Sequence, residues 1–121
     1  MTVVSTNGAL KSTSVPGDTI PSTTATMTAG AANYGICIKS VTQTSGATLT
    51  KGGSFPSTTC TTTANGNTVS AVTTSSQSLL TASGLISTGV GEIMVNAENG
   101  YTTPAHTDYG DTLTFIATST F

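Results

Sequence analysis

DTLTFIATSTF, residues 111–121, is the stretch of sequence that decides the fold class. Apolar residues and threonines alternate along it, which is the period-two pattern of a β-strand with one buried face. Because such a face must pack against a second layer, the stretch predicts a sheet packed against another sheet. Only Ile116 departs from the alternation. The side chains expected to face inward are Leu113, Phe115, Ala117 and Phe121.

The composition favours strands over helices along the whole chain. The 121 residues include 29 threonines and 15 serines, whereas 7% of residues are charged and tryptophan is absent. Threonine is a good strand former and a poor helix former, so an all-β fold is expected. Hydrophobic residues make up 36% of the chain, which argues against disorder, and the length suits a single domain, residues 1–121.

The charge balance excludes some classes of partner. A formal net charge of −2 leaves no basic patch for a phosphate backbone, so nucleic acid is not an expected partner. No apolar run approaches the roughly 20 residues that a membrane-spanning helix needs. Few charges and many hydroxyl groups favour an exported, extracellular protein, and no cofactor is expected.

Two cysteines, Cys37 and Cys60, enclose 22 residues. In an exported β protein they are expected to form one disulfide, and the alternative is two separate buried thiols in a cytosolic protein. Alternation along residues 34–42 places Cys37 on the same side as Lys39. If that side is solvated, the disulfide lies on the outside of the sandwich and not between its sheets.

The first turn signal lies near the start of the chain. Asn7-Gly8 predicts a hairpin between residues 2–6 and 9–13, because this dipeptide readily adopts the positive φ angles of a tight turn. With little apolar content, residues 1–15 are interpreted as either an edge hairpin or an N-terminal arm that pairs with a neighbouring molecule.

Later turn signals extend the pattern to a complete β fold. Asn65-Gly66 predicts a hairpin between residues 58–64 and 68–73. Turn signals at intervals of about ten residues predict an immunoglobulin-like antiparallel β-sandwich of about seven to eight strands. Further strand patterns cover residues 24–29, 34–42 and 47–51, whereas residues 75–88 fit either a short helical turn or a loop.

The strand predicted at residues 92–98 alternates cleanly. Its inward side chains are expected to be Ile93, Val95 and Ala97. Because it comes just before the closing strand, the two are expected to pair as the penultimate and last strands of the fold.

The sequence TDYGDTLTF, residues 107–115, resembles the pattern that opens the final strand in bacterial surface β-sandwiches. These include the spore-coat U and archaic chaperone-usher pilin group. The resemblance implies that Tyr109 anchors a corner and that Asp111 caps the turn before the closing strand. It also implies a location at the cell surface and a structural role, with no catalytic site.

His106, Asp108 and Asp111 form the densest group of polar residues. A hydrolase triad also needs a serine on a sharp turn, and the Gly-x-Ser-x-Gly motif that supplies it in one large class is absent, so no catalytic residues are predicted. The spacing matches no recognised metal motif, so no metal is predicted either. Tyr101, His106 and Asp108 remain candidate ligand-binding residues, with a glycan as the candidate ligand.

A spontaneous crosslink is one further chemical hypothesis. Lys39 or Lys51 with Asn96, assisted by Glu92 or Glu98 as the acid, supplies the groups for an isopeptide bond.

The sequence therefore predicts a non-catalytic structural module of the bacterial cell surface, such as a subunit of a pilus, fibre or surface layer. Its expected contacts are with copies of itself or with other surface proteins, made by backbone pairing at an open sheet edge. One alternative is an adhesin or glycan-binding module that uses the loops at residues 101–108 and 54–58. A third hypothesis is an ice-binding protein, suggested by the Thr-x-Thr runs.

Overall fold

The computed structural model describes residues 1–118 of the 121-residue chain. Within this part all the assigned secondary-structure elements are β-strands. No helix that is long and apolar enough to cross a bilayer occurs among these residues. The predicted all-β class is therefore confirmed, but the described residues contain fourteen strands, most of them short, instead of the expected seven to eight. The strands are β1 (Thr2–Ser5), β2 (Ala9–Ser12), β3 (Thr19–Pro21), β4 (Ala25–Thr26), β5 (Asn33–Thr42), β6 (Ser45–Gly46), β7 (Leu49–Lys51), β8 (Thr68–Val69), β9 (Gln77–Ser78), β10 (Leu80–Ala82), β11 (Ile86–Ser87), β12 (Val90–Glu98), β13 (Tyr109–Gly110) and β14 (Leu113–Ile116).

The strands form small antiparallel sheets of two or three members. The three-stranded sheets have the orders β14-β1-β9 and β13-β2-β3. The two-stranded sheets are β12-β5, β10-β7, β11-β6 and β4-β8. Most paired strands are far apart in sequence, so the fold depends on long-range strand pairing.

The longest pairing joins β5 to β12 and organises the interior. One face of β5 contributes Tyr34, Ile36 and Ile38 to the main core. The other face contributes Cys37 to a second, smaller cluster that contains Met27. Cys37 therefore faces the interior, whereas the alternation of the strand had suggested a solvated side. The sequence signal fails here because a strand covered on both faces does not show which of them meets solvent.

The main core collects apolar side chains from distant parts of the chain. Phe55 is fully buried although it lies in the segment between β7 and β8, where no strand is assigned. The buried members of this cluster are Val3, Ile20, Tyr34, Ile36, Ile38, Phe55, Val72, Leu79 and Leu80.

β12 agrees with the strand predicted at residues 92–98, and Ile93 packs against the main core as expected, but Val95 and Ala97 are exposed. Val95 is 53% exposed, and Asn96 on the opposite face is only 3% exposed. The pairing with β5 is irregular between Glu92 and Ile93. Asn96 is buried because the segment that carries Asn67 covers that face, and the two side chains are joined by a hydrogen bond of 3.0 Å.

β14 also differs from the expectation drawn from its alternation. Leu113 packs partly against the main core, but Phe115 is 42% exposed and Ala117 is exposed. The reason is that β14 lies at the edge of its sheet, so only one of its long sides is covered. The predicted inward position of Phe121 lies outside the described residues.

β1 and β2 do not form the opening hairpin expected around Asn7-Gly8. β1 lies in the centre of one three-stranded sheet, and β2 lies in the centre of the other. The turn therefore carries the chain from one sheet to the next, with Gly8 at a φ of +65°. Since both strands are paired on both sides, residues 2–12 do not form a free arm or an edge hairpin.

Two other predicted pairings are replaced by long-range ones. No strand forms between Lys51 and Thr68. β8 pairs with β4, and it meets residues 58–64 through a hydrogen bond of 2.9 Å from the Thr68 N–H to the Thr59 carbonyl and not through a strand ladder. β12 pairs with β5, while β14 pairs with β1, so the last two long strands are not neighbours. Residues 75–88 form the short strands β9, β10 and β11 and no helical turn. A turn signal fixes where the chain reverses, but packing decides which strands then meet.

Cys37 and Cys60 form a disulfide across 23 positions. Cys60 belongs to the long segment without strands between β7 and β8, and Cys37 lies in the middle of β5. Asn67 fixes the same segment, because its side-chain oxygen accepts hydrogen bonds from the backbone N–H (2.7 Å) and hydroxyl (3.1 Å) of Thr61. The disulfide, Phe55 and Asn67 thus hold a long irregular segment against the core.

Candidate functional site

The closing segment from residue 101 to the start of β14 contains the polar residues singled out in the sequence. Asp111 accepts hydrogen bonds from the Ser5 hydroxyl at 2.5 Å and from the backbone N–H groups of Asn7 and Thr112 at 3.0 and 2.8 Å. It thereby ties the turn after β1 to the residue that precedes β14. Burial and the nearby Asp111 charge raise the pKa of Tyr34 to about 12.

Asp108 is held by a second group of donors. Its carboxylate accepts hydrogen bonds from the hydroxyls of Thr13 and Ser12 at 2.7 and 2.8 Å, and from the backbone N–H of Ser14 at 2.7 Å. These donors, with the Thr13 hydroxyl as the largest contribution, hold the pKa of Asp108 well below its usual range. Asp108 therefore connects the closing segment to the loop after β2.

His106 and Tyr109 make contacts of their own. The His106 Nε2 atom lies 2.6 Å from an Asp18 carboxylate oxygen, and its ring stands edge-on to Tyr109 with centroids 5.6 Å apart. The Tyr109 hydroxyl donates a hydrogen bond of 3.0 Å to the Pro104 carbonyl, which closes the loop on itself. Burial, followed by the charges of Asp18 and Asp108, raises the pKa of Tyr109.

The three residues of the predicted polar group thus serve three separate contacts. The oxygens of Asp108 and Asp111 accept bonds from hydroxyl and backbone donors, which leaves them poorly placed to bind a cation. No group of three or more metal-binding side chains occurs within residues 1–118. In the same part of the chain, His106 makes no hydrogen bond to a serine hydroxyl, which a catalytic triad requires. The geometry is that of carboxylates and one histidine joining neighbouring loops.

The joining role of Asp108 predicts a specific pH dependence. Because its folded-state pKa lies below the ordinary value of 3.8, the charged form stabilises the fold above about pH 4, and this stability is lost as the pH falls further. Asp108→Asn keeps only one acceptor oxygen for the three donors. Because of this loss, the variant is expected to melt at a lower temperature than the wild type at pH 7. The difference should shrink toward pH 2.

Thermal melts of both chains from pH 7 to pH 2 measure this effect, with Glu98→Gln as a control that removes one carboxylate elsewhere. A melting difference for Asp108→Asn that is the same at both ends of the range contradicts the role assigned to the carboxylate.

Tyr101 stands apart from the other candidate ligand-binding residues. Its side chain is 91% exposed, and its backbone N–H donates to the Gly30 carbonyl at 3.1 Å. The ring lies beside Gly30, whose φ of +81° is a backbone conformation that favours glycine. No hydrogen bond or aromatic contact joins Tyr101 to His106 or Asp108 in the described part of the chain.

The groups proposed for a covalent crosslink are not brought together. Lys39 forms a 2.8 Å ion pair with Glu92, and its hydrogen bond is the main cause that lowers the pKa of Glu92. Lys51 donates to the carbonyl of Ser57 at 3.0 Å, in the loop at residues 54–58. The Asn96 amide instead contacts Asn67, so neither lysine meets it as the isopeptide hypothesis requires.

Threonines pair across strands at two places. The hydroxyls of Thr50 and Thr81 lie 3.0 Å apart, and those of Thr26 and Thr68 lie 3.3 Å apart. These rows of threonine side chains are short, because β4 and β8 contain two residues each. Ice binding stays a prediction, which a measurement of thermal hysteresis tests.

An open apolar groove of about 430 Å³ lies where the end of β14 faces β7, β10 and β11. Leu80 and Leu49 on its wall also belong to or pack on the main core, so the groove reaches the interior. The apolar side chains that line it are Met1, Leu49, Leu80, Leu85, Ile86 and Ala117.

The outer sides of β12 and β14 are open edges in a fold whose sheets have only two or three strands. No backbone hydrogen bond within residues 1–118 reaches the outer side of β12 or of β14. The Thr6 N–H donates to the Thr112 carbonyl at 2.9 Å, so by antiparallel alternation the N–H and C=O groups of Leu113 and Phe115 point outward. Exposed apolar side chains accompany both edges: Val90 and Val95 on β12, and Phe115 and Ile116 on β14.

Sequence reasoning placed strands near both positions but did not identify them as edges, because alternation carries no information on which strands pair. No family model matches the chain, and no similar curated protein or solved structure was found. The fold and its contacts define the class: an all-β chain with one disulfide and small sheets, among whose outer strands are β12 and β14.

Proposed function

We propose that this chain is a non-catalytic structural module of the bacterial cell surface, a subunit of a fibre or surface layer, in which the small sheets form an immunoglobulin-like sandwich. The disulfide supports an exported location, because such bonds persist in oxidising compartments. The candidate polar residues support a structural role, because their oxygens and ring nitrogen bind other parts of the same chain.

The observation that carries the proposal is the pair of open edges. Natural β proteins usually protect an edge strand with charges, proline, short length or a covering segment. β14 has neither a charge nor a proline, and Phe115 and Ile116 on it are partly exposed. Unpaired main-chain groups beside exposed apolar side chains favour association by strand pairing.

Electron microscopy and sedimentation velocity of the oxidised protein test this function. Fibres, sheets or a sedimentation coefficient that rises with concentration is the expected result. A chain that remains monomeric at millimolar concentration and shows no assemblies contradicts it.

Glycan binding is the second candidate, and the exposure of Tyr101 favours it. The aromatic ring of Tyr101, a residue that is 91% exposed and whose backbone is hydrogen-bonded to Gly30, offers a flat apolar face on which a sugar ring can stack. Saturable binding on a glycan array that Tyr101→Ala abolishes supports this function. Binding that is absent, or is unaffected by Tyr101→Ala, argues against it.

A further inference from the structure

We infer that the partner of each open edge is a second copy of this chain, and that β12 of one copy pairs with β14 of the next in a head-to-tail contact. This inference rests on the proposed function, since it names the partner and the direction of assembly. A contact between two unlike surfaces does not close on itself as a two-fold dimer does, so it builds a ring or an open chain of more than two copies.

The distribution of charge distinguishes the two edges. Glu92 and Glu98 flank five residues of β12, numbers 93–97, that carry no charge. β14 is four residues long and also carries no charge. The closing strand therefore fits between the two glutamates without placing any charge beside them, which is a match of both length and electrostatics.

Pairing β12 with itself is less favourable. In the antiparallel register that pairs all nine residues, Glu92 of one copy lies diagonally next to Glu98 of the other, and symmetry repeats this contact. Diagonal neighbours on paired strands are about 7–8 Å apart, so like charges at these positions repel. Lys39 offsets the charge of Glu92, and no ion pair to Glu98 occurs within the described residues.

Pairing β14 with itself avoids charges but leaves the longer edge uncovered. A contact between β12 and β14 covers both edges in every interior copy without placing Glu92 near Glu98, and it also covers the exposed side chains of Val95 and Phe115. The outward N–H and C=O groups of Leu113 and Phe115 then find backbone partners on β12.

Two single substitutions block one edge each. Val95→Lys places a charge on β12, and Phe115→Lys places one on β14, at positions that are 53% and 42% exposed. Val15→Lys is the matched control, because Val15 is 43% exposed and lies in the turn between β2 and β3, which belong to a different sheet from β12 and from β14. Thr114→Lys, at an exposed position on the same strand, replaces Phe115→Lys if that variant fails to fold.

Sedimentation velocity of the oxidised chains, alone and mixed, gives the decisive result. The wild type and Val15→Lys are expected to form assemblies larger than a dimer, whereas each edge variant alone stays monomeric at the same concentration. An equimolar mixture of the two edge variants is expected to form a dimer and nothing larger, because one intact β12 meets one intact β14.

Other outcomes overturn the inference. An edge variant that still dimerises alone shows that the other edge pairs with itself, and a mixture that stays monomeric shows that β12 and β14 do not meet. In both cases an associating wild type leaves the proposed function standing. A monomeric wild type overturns the function and the inference together.

Discussion

Replacing both cysteines, Cys37→Ala with Cys60→Ala, is expected to lower the free energy of unfolding by about 3 kcal/mol, the loop-closure value for a crosslink of this span. The disulfide spans 23 positions, and its loop includes much of the irregular segment between β7 and β8. Without the bond, that segment gains conformational freedom in the unfolded chain, and its hold on β5 is weakened. Urea unfolding followed by circular dichroism measures the loss.

The wild type in a strong reductant is the control, because it keeps both side chains and loses only the covalent bond. Both samples should lose similar stability. A loss below about 1 kcal/mol in both, well under the expected range for a native disulfide, contradicts the anchoring role of this bond.

Phe55→Ala is expected to cost about 3–5 kcal/mol, the range for truncating a buried aromatic side chain. Phe55 is fully buried and packs in the main core, although its segment has no strand. Its removal leaves a cavity and releases the segment that Asn67 and the disulfide also hold. Urea unfolding of the oxidised variant measures the effect.

Phe115→Ala is the matched control, since it makes the same change at a site that is 42% exposed. We expect it to cost well under half as much, because the ring already contacts water. A larger loss at Phe115 than at Phe55 contradicts the core described above and restores the inward position that alternation predicts for the closing strand.

Local patterns in the sequence predicted several elements of the fold. The alternation in β12 and the apolar run in β5 marked the two longest strands, because period-two patterns report on the chain itself. The chain also turns tightly at Pro16-Gly17, a dipeptide that favours turns, with a hydrogen bond of 2.9 Å from the Asp18 N–H to the Val15 carbonyl.

Contacts between distant parts of the chain could not be predicted in this way. The central positions of β1 and β2 depend on strands that are up to 114 positions away, as in the pairing of Thr2 with Ile116. The burial of Phe55 follows from its packing on the main core, and no periodicity precedes it in the sequence. Even the exposure of Phe115 depends on the absence of a further strand beside β14 within the described residues.

The candidate site was predicted as a list of residues but not as an arrangement. His106, Asp108 and Asp111 are close in sequence, which suggested one polar group. In the structure each contacts a different loop, near Asp18, the residues after β2, and the turn after β1 respectively. Sequence proximity fails here because residues 101–108 form a loop, in which spacing along the chain does not fix the direction of a side chain.

Amide hydrogen exchange of the oxidised protein, compared between dilute and concentrated samples, tests most directly whether the sheet edges assemble the chain. The account predicts that the amides of Leu113 and Phe115, and alternate amides between residues 93 and 97, become protected in the concentrated sample. Amides in the interior of β5, such as Ile36, should be equally protected in both. Association without new protection at either edge, or no association at all, contradicts the account.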